Sequence, residues 1–100
     1  MITKEQIINY IVSNKEIFSK EYHINKIGLF GSFARGEETN NSDIDLIVEF
    51  DSQSNDIFEI KLKLSEIFKK QFNRNIDIAR EKYLKPRVRD MILKETIYVE

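Results

Sequence analysis

The chain has no cysteine, which removes disulfides, zinc–thiolate sites and thiol nucleophiles from consideration. His23 is its only histidine. A multi-histidine metal centre is therefore excluded, and His23 itself reads as a loop residue rather than a catalyst. Charge of one sign is also missing: seventeen acidic residues against sixteen basic ones leave a formal charge of −1. That balance argues against holding nucleic acid by bulk charge, and no direct nucleic-acid binding is expected. No apolar run approaches membrane-spanning length. Met1 to Glu5 lack the basic, apolar, small-residue order of a signal peptide, so a cytoplasmic chain with no membrane partner is expected. Asn40-Asn41-Ser42 fits a glycosylation acceptor, a pattern without meaning unless the chain is secreted. What is present is a 41% apolar chain of 100 residues, enough for one core and too short for two. With no repeat, low-complexity tract or linker, residues 1–100 read as a single domain.

Thr3, followed three residues later by Gln6, has the form of a capping box. Ile7, Ile8, Ile11, Val12 and Phe18 then recur at helical spacing and predict a helix from Lys4 to Phe18. Lys26 to Phe30 is a short apolar run stopped by Gly31, the mark of a buried strand. From Asp43 to Phe50 the chain alternates, with Ile44, Leu46, Val48 and Phe50 on one face and Asp43, Asp45, Ile47 and Glu49 on the other. Ser52 to Asn55 predicts a loop, and Ile57, Ile60, Leu64, Ile67 and Phe68 predict a second helix. Asn75 to Ala79 predicts a strand with Ile76 and Ile78 on one face and Asp77 on the other. Pro86 suits the first turn of a helix to Lys94, and Ile97 to Val99 closes the sheet. The implied class is α/β, a small mixed sheet packed with helices. Tyr22, Tyr83 and Tyr98 read as packing residues.

The chemistry lies in Gly31-Ser32-Phe33-Ala34-Arg35-Gly36-Glu37 and in Asp43-Ile44-Asp45. A strand feeding a Gly-Ser turn and a short helix exposes backbone N–H groups that can hold phosphate oxygens. Gly31 removes a side chain that would keep phosphate away, and Ser32 adds a hydroxyl donor. Asp43 and Asp45, two apart on one strand, project to the same face. Their mutual repulsion favours a divalent cation between them, and magnesium takes carboxylate oxygens together with substrate phosphates. Asp77 is the candidate third carboxylate, able to complete a two-metal site by activating an acceptor hydroxyl; alone, it reads more readily as an outward polar residue. Between Glu37 and Glu59 there are eight acidic residues and no Lys or Arg. From Arg80 to Lys94 the balance reverses, which suits contact with a triphosphate or an acidic partner, or simply a solvated helix face.

Two other ligand loops fail on their residues. Gly31 and Gly36 have P-loop spacing, but Glu37 and Glu38 stand where Lys and Ser or Thr are required. Asp43-Ile44-Asp45 is not a calcium loop, because Ile47 occupies the next ligand position and no glycine follows. Arg35 has two readings, contact with phosphate or a surface pair with Glu38 or Asp43.

Gly31-Ser32, ten intervening residues, then Asp43-x-Asp45 resembles the signature of the nucleotidyltransferase superfamily that includes DNA polymerase beta. Phe30 to Glu37 with Ser42 to Leu46, Leu84-Lys85-Pro86 and the ending Ile92 to Val99 resemble the minimal nucleotidyltransferase (MNT) family over nearly the whole chain. The resemblance implies the nucleotidyltransferase fold, with ATP as substrate and Mg2+ as cofactor. It gives Gly31 and Ser32 to the nucleotide, and Asp43, Asp45 and Asp77 to the metal and the reaction; Arg35 joins the nucleotide candidates on its charge alone. Many members are antitoxins that transfer AMP to a tyrosine of a HEPN-type ribonuclease toxin. That makes such a toxin the implied partner and a complex with it the implied assembly. Two other functions stay open: an antitoxin that neutralises by covering its toxin, and a transferase acting on a small molecule or an RNA end.

Overall fold

Two helices begin the chain where apolar spacing predicts one. In the computed structural model, which describes residues 2–51 and 56–99, α1 is Lys4–Ser13 and α2 is Lys15–Glu21. Asn14 makes the break. Its backbone leaves the helical region (φ −110°, ψ 11°), and its side-chain amide donates to the Tyr10 carbonyl at 2.8 Å. Short amide side chains compete with the helix for backbone groups, a local effect that apolar periodicity does not register. The predicted start holds: Thr3 Oγ1 accepts the Gln6 N–H, and Gln6 Oε1 accepts the Thr3 N–H.

The strands are β1 Ile24–Phe30, β2 Ile44–Phe50, β3 Ile76–Arg80 and β4 Ile97–Val99. Between them lie α3 Gly31–Arg35, α4 Ile57–Phe72 and α5 Pro86–Glu95. A single 3-10 turn, Glu81–Tyr83, joins β3 to α5 and was not expected. The predicted Ser52–Asn55 loop falls outside the described residues. Strand order is β3-β2-β1-β4. β1 runs antiparallel to β2 and to β4, whereas β2 and β3 are parallel. A parallel pair needs a crossover, and α4 lies in that connection. The sheet is thus mixed and packed with helices, the predicted class. No helix among the described residues is long and apolar enough to cross a membrane.

One face of β2 builds the core as the alternation requires. Ile44, Leu46, Val48 and Phe50 are buried with Ile7, Ile11, Phe18, Leu64 and Phe68, each such side chain contributing about 1.5–3 kcal/mol. Ile47 is buried on the opposite face, beside Gly28. A methyl group at Gly28 would lie 2.7 Å from Thr96 Cγ2 and 2.9 Å from Tyr98 Cδ1, so its hydrogen lets β4 lie against β1. Tyr22 packs on Phe18, and Tyr98 donates its hydroxyl to Glu81 at 2.7 Å. Tyr83 corrects the sequence reading: it is 70% exposed, standing beside Arg80 and Lys82 rather than in the core. The basic segment is partly committed as well, with Arg80 paired to Glu49 and Arg89 to Glu81. His23 lies between α2 and β1 with φ 56°, and its carbonyl accepts the Asp51 N–H.

Candidate active site

Strand direction gathers the chemistry at one end of the sheet. β2 and β3 are parallel, so their first residues lie side by side; β1 is antiparallel to β2, so its last residue joins them. Phe30 pairs with Asp45, and Asp45 pairs with Asp77. Gly31, Asp45 and Asp77, far apart in sequence, thereby become neighbours across three strands.

Gly31 is buried and has φ +77°, a backbone region that residues with a Cβ rarely adopt. A Cβ placed there would lie 2.1 Å from Asp45 Oδ2. The glycine thus serves the turn and makes room for the carboxylate. Asp45 is half-buried, while Asp43 and Asp77 are exposed. Burial, then the charges of Asp77 and Asp43, push the Asp45 carboxyl up from 3.8 to about 6; Arg35 opposes them and Glu95 adds to them.

Asp43 precedes β2 on a braced turn. Arg74 Nη1 donates to the carbonyls of Thr39 (3.2 Å) and Ser42 (2.7 Å), while its guanidinium lies 5.5 Å from the Phe33 ring centre. Ser42 Oγ accepts the Thr39 N–H at 2.8 Å. A polar cavity of about 250 Å³ opens beside Asp43, with Asn41, Lys69, Asn73 and Asn75 among its walls. A larger cavity of about 440 Å³, near Gln6, Tyr10 and Phe72, touches none of the site residues.

Ser32 is the second residue of α3, and its carbonyl accepts the Glu37 N–H at 2.9 Å. Arg35 pairs with neither Glu38 nor Asp43. Its Nε donates to Glu37 at 2.9 Å, and Nη1 to both oxygens of Glu95 at 3.0 and 3.1 Å. Glu95 also accepts the Gly31 N–H at 2.7 Å, so that backbone donor is already engaged. Reasoning from sequence missed Glu95. One signal was available: an acidic residue ends α5, where the helix dipole favours a cation.

Divalent-cation chemistry fits this donor set. The oxygens are hard carboxylates, and burial beside other negative charge leaves Asp45 short of a counter-charge. Among the described residues no three Asp, Glu, His or Cys side chains group closely enough to hold an ion by themselves. Magnesium does not demand such a cage, since it binds one or two carboxylates and completes its shell with phosphate oxygens and water.

The raised Asp45 carboxyl fixes the sign of a pH effect. The folded chain keeps a proton on Asp45 that the unfolded chain releases near ~4, so stability is full below that pH and falls as pH rises through about 6. Discounted for partial solvation, the loss is about 1–2 kcal/mol. In metal-free protein, Asp45→Asn should therefore melt above the wild type near pH 7.5 and with it near pH 4. Thermal melts at both values check this, and an equal gap at both would contradict it.

Known proteins resemble this chain in sequence and in fold. The sequence profile of the family described as "Nucleotidyltransferase domain" matches residues 12–99. A candidate protein adenylyltransferase of Methanocaldococcus jannaschii is 37% identical over 100 residues, which cover 99% of this chain and 100% of the relative. The solved structure of a candidate minimal nucleotidyltransferase has a TM-score of 0.77 and 26% identity, over 96% of this chain and 95% of that one. A toxin–antitoxin structure with AMP-PNP has a TM-score of 0.64 at 18% identity, over 97% of this chain and 72% of that one. This last likeness is one of fold.

Proposed function

Because the chain belongs to the nucleotidyltransferase domain family, we propose that it transfers AMP from ATP to a tyrosine hydroxyl of a HEPN-type ribonuclease toxin, and so acts as the antitoxin. The observation that carries this reading is Asp45 paired across the sheet with Asp77 while a side-chain-free Gly31 closes on its carboxylate. The relative named for protein adenylyl transfer supports AMP as the group moved. The toxin–antitoxin neighbour, whose structure holds AMP-PNP, supports a toxin as the partner and an adenine nucleotide as the substrate.

In this reading the acceptor oxygen attacks the α-phosphorus, the bond to the bridging oxygen breaks, and pyrophosphate leaves. Asp43 and Asp45 would hold Mg2+, which would supply positive charge to neutralise the phosphates. Ser32 and Arg35 donate to the β- and γ-phosphates, and Gly31 lets the triphosphate come close. Asp77, exposed at the edge strand, receives the acceptor and takes its proton.

The test is intact mass. A helical partner carrying a HEPN-type Arg-x4-His motif, encoded beside this chain, should gain whole adenylyl units after incubation with this protein, ATP and magnesium, and fragmentation should place them on tyrosine. An unmodified toxin that is nonetheless silenced on mixing would overturn the catalytic reading in favour of neutralisation by covering.

A further inference from the structure

We propose that Glu95 is a positioning residue for the nucleotide, fixing the Gly31 turn and the Arg35 guanidinium in the arrangement that receives the triphosphate. The inference rests on the nucleotidyl-transfer reading above and deepens it.

The sheet itself delivers Glu95 to the site. In the antiparallel β1–β4 ladder Leu29 pairs with Ile97. Continuing that register two residues beyond brings Gly31 opposite Glu95, at the last position of α5. There one Glu95 oxygen accepts the Gly31 N–H at 2.7 Å, and both oxygens face Arg35 Nη1 at 3.0 and 3.1 Å. The Glu95 side chain is only 16% exposed, against 43% for Arg35. Charge-assisted bonds of this length, on an acceptor mostly shielded from water, hold their donors firmly.

General stability is a poor explanation for this carboxylate. It lies at the C-terminal end of α5, where the helix dipole opposes negative charge. It also adds to the negative field on Asp45. Both costs fall on the fold, whereas the benefit goes to Gly31 and Arg35. Glu95 and Glu37 between them take Nε and Nη1 of Arg35, which fixes the plane of the guanidinium and leaves Nη2 to reach a ligand. The Gly31 turn has little room to wander, since Asp45 Oδ2 occupies the place a Cβ would take. A small shift there changes the space a phosphate would enter. Removing conformational choice before binding is how an orienting residue raises affinity.

The experiment measures equilibrium binding of magnesium AMP-PNP by calorimetry to wild type, Glu95→Ala and Glu95→Gln, with 1H–15N spectra of each. Glu95→Ala should weaken binding about tenfold, in the range seen when a partner orienting a ligand-holding group is lost. Glu95→Gln keeps an acceptor for Gly31 but no charge for Arg35, and should lose part of that. In both spectra the Gly31 amide and Arg35 Nε–H signals should move, and in turnover assays KM for ATP should rise more than kcat falls. If Glu95→Ala does not fold, Glu95→Gln decides by the same readings. Wild-type affinity in a folded variant whose Gly31 signal has moved would overturn the inference while leaving the nucleotide reading intact. A wild type that binds no nucleotide would strike that reading, and this inference with it.

Discussion

Replacing Asp43 and Asp45 together by Asn will abolish adenylyl transfer while leaving the fold in place. Asp43 immediately precedes β2, and Asp45, its second residue, faces Asp77 across the parallel pair. Asparagine keeps the size and removes the charge that would hold magnesium. The expected loss is several kcal/mol of transition-state stabilisation, a fall of about a thousandfold or more. Single-turnover transfer from ATP labelled at the α-phosphate measures it. The melting temperature near pH 7 should stay level or rise, because the burial of charge and the repulsion from neighbouring carboxylates that together lift the Asp45 carboxyl to about 6 are gone. Loss of label with raised stability separates a chemical role from a structural one. Label within about tenfold of wild type would remove these residues from the mechanism.

Gly31→Ala should be the most damaging single substitution at the site. Two independent costs add: a residue with a Cβ forced to φ +77°, and that Cβ set 2.1 Å from Asp45 Oδ2. The first is worth about 1–2 kcal/mol and the second about 1–3 kcal/mol. Together they should lower the melting temperature by roughly 10 °C or more and remove transfer activity. Adding Asp45→Ala takes away the crowded carboxylate and leaves only a 3.1 Å approach to the Cβ at that position, so the double variant should recover most of the steric loss and retain the backbone cost. A Gly31→Ala protein that melts within about 2 °C of wild type would show that the turn is not held as described.

Much of this molecule was legible in the sequence because local rules governed it. Period-two alternation over β2 assigned Ile44, Leu46, Val48 and Phe50 to the core, where they lie. The stripe from Ile57 to Phe68 marked α4, Thr3 and Gln6 marked its capped predecessor α1, and Pro86 marked the first turn of α5. The exceptions were local too, but polar. Asn14 divided a helix whose apolar spacing ran on unbroken, and Tyr83 followed a 3-10 turn outward instead of a packing role.

At the site, spacing along the chain singled out Gly31, Ser32, Asp43 and Asp45, because residues on one strand or turn keep a fixed geometry wherever that element goes. Asp77 was legible only as the acidic member of a short strand, and its place opposite Asp45 came from the parallel register. The partners of Arg35 were not legible: Glu37 is two residues away and Glu95 is sixty. The amino-acid order therefore determined the elements, the inward face of β2 and the carriers of negative charge, since these depend on backbone periodicity and neighbouring residues. Tertiary structure alone decided which carboxylate presses on Gly31, which one grips Arg35, and that both do so at the same end of the sheet. Strand direction and register set those contacts, and they are fixed only when distant apolar faces bury each other.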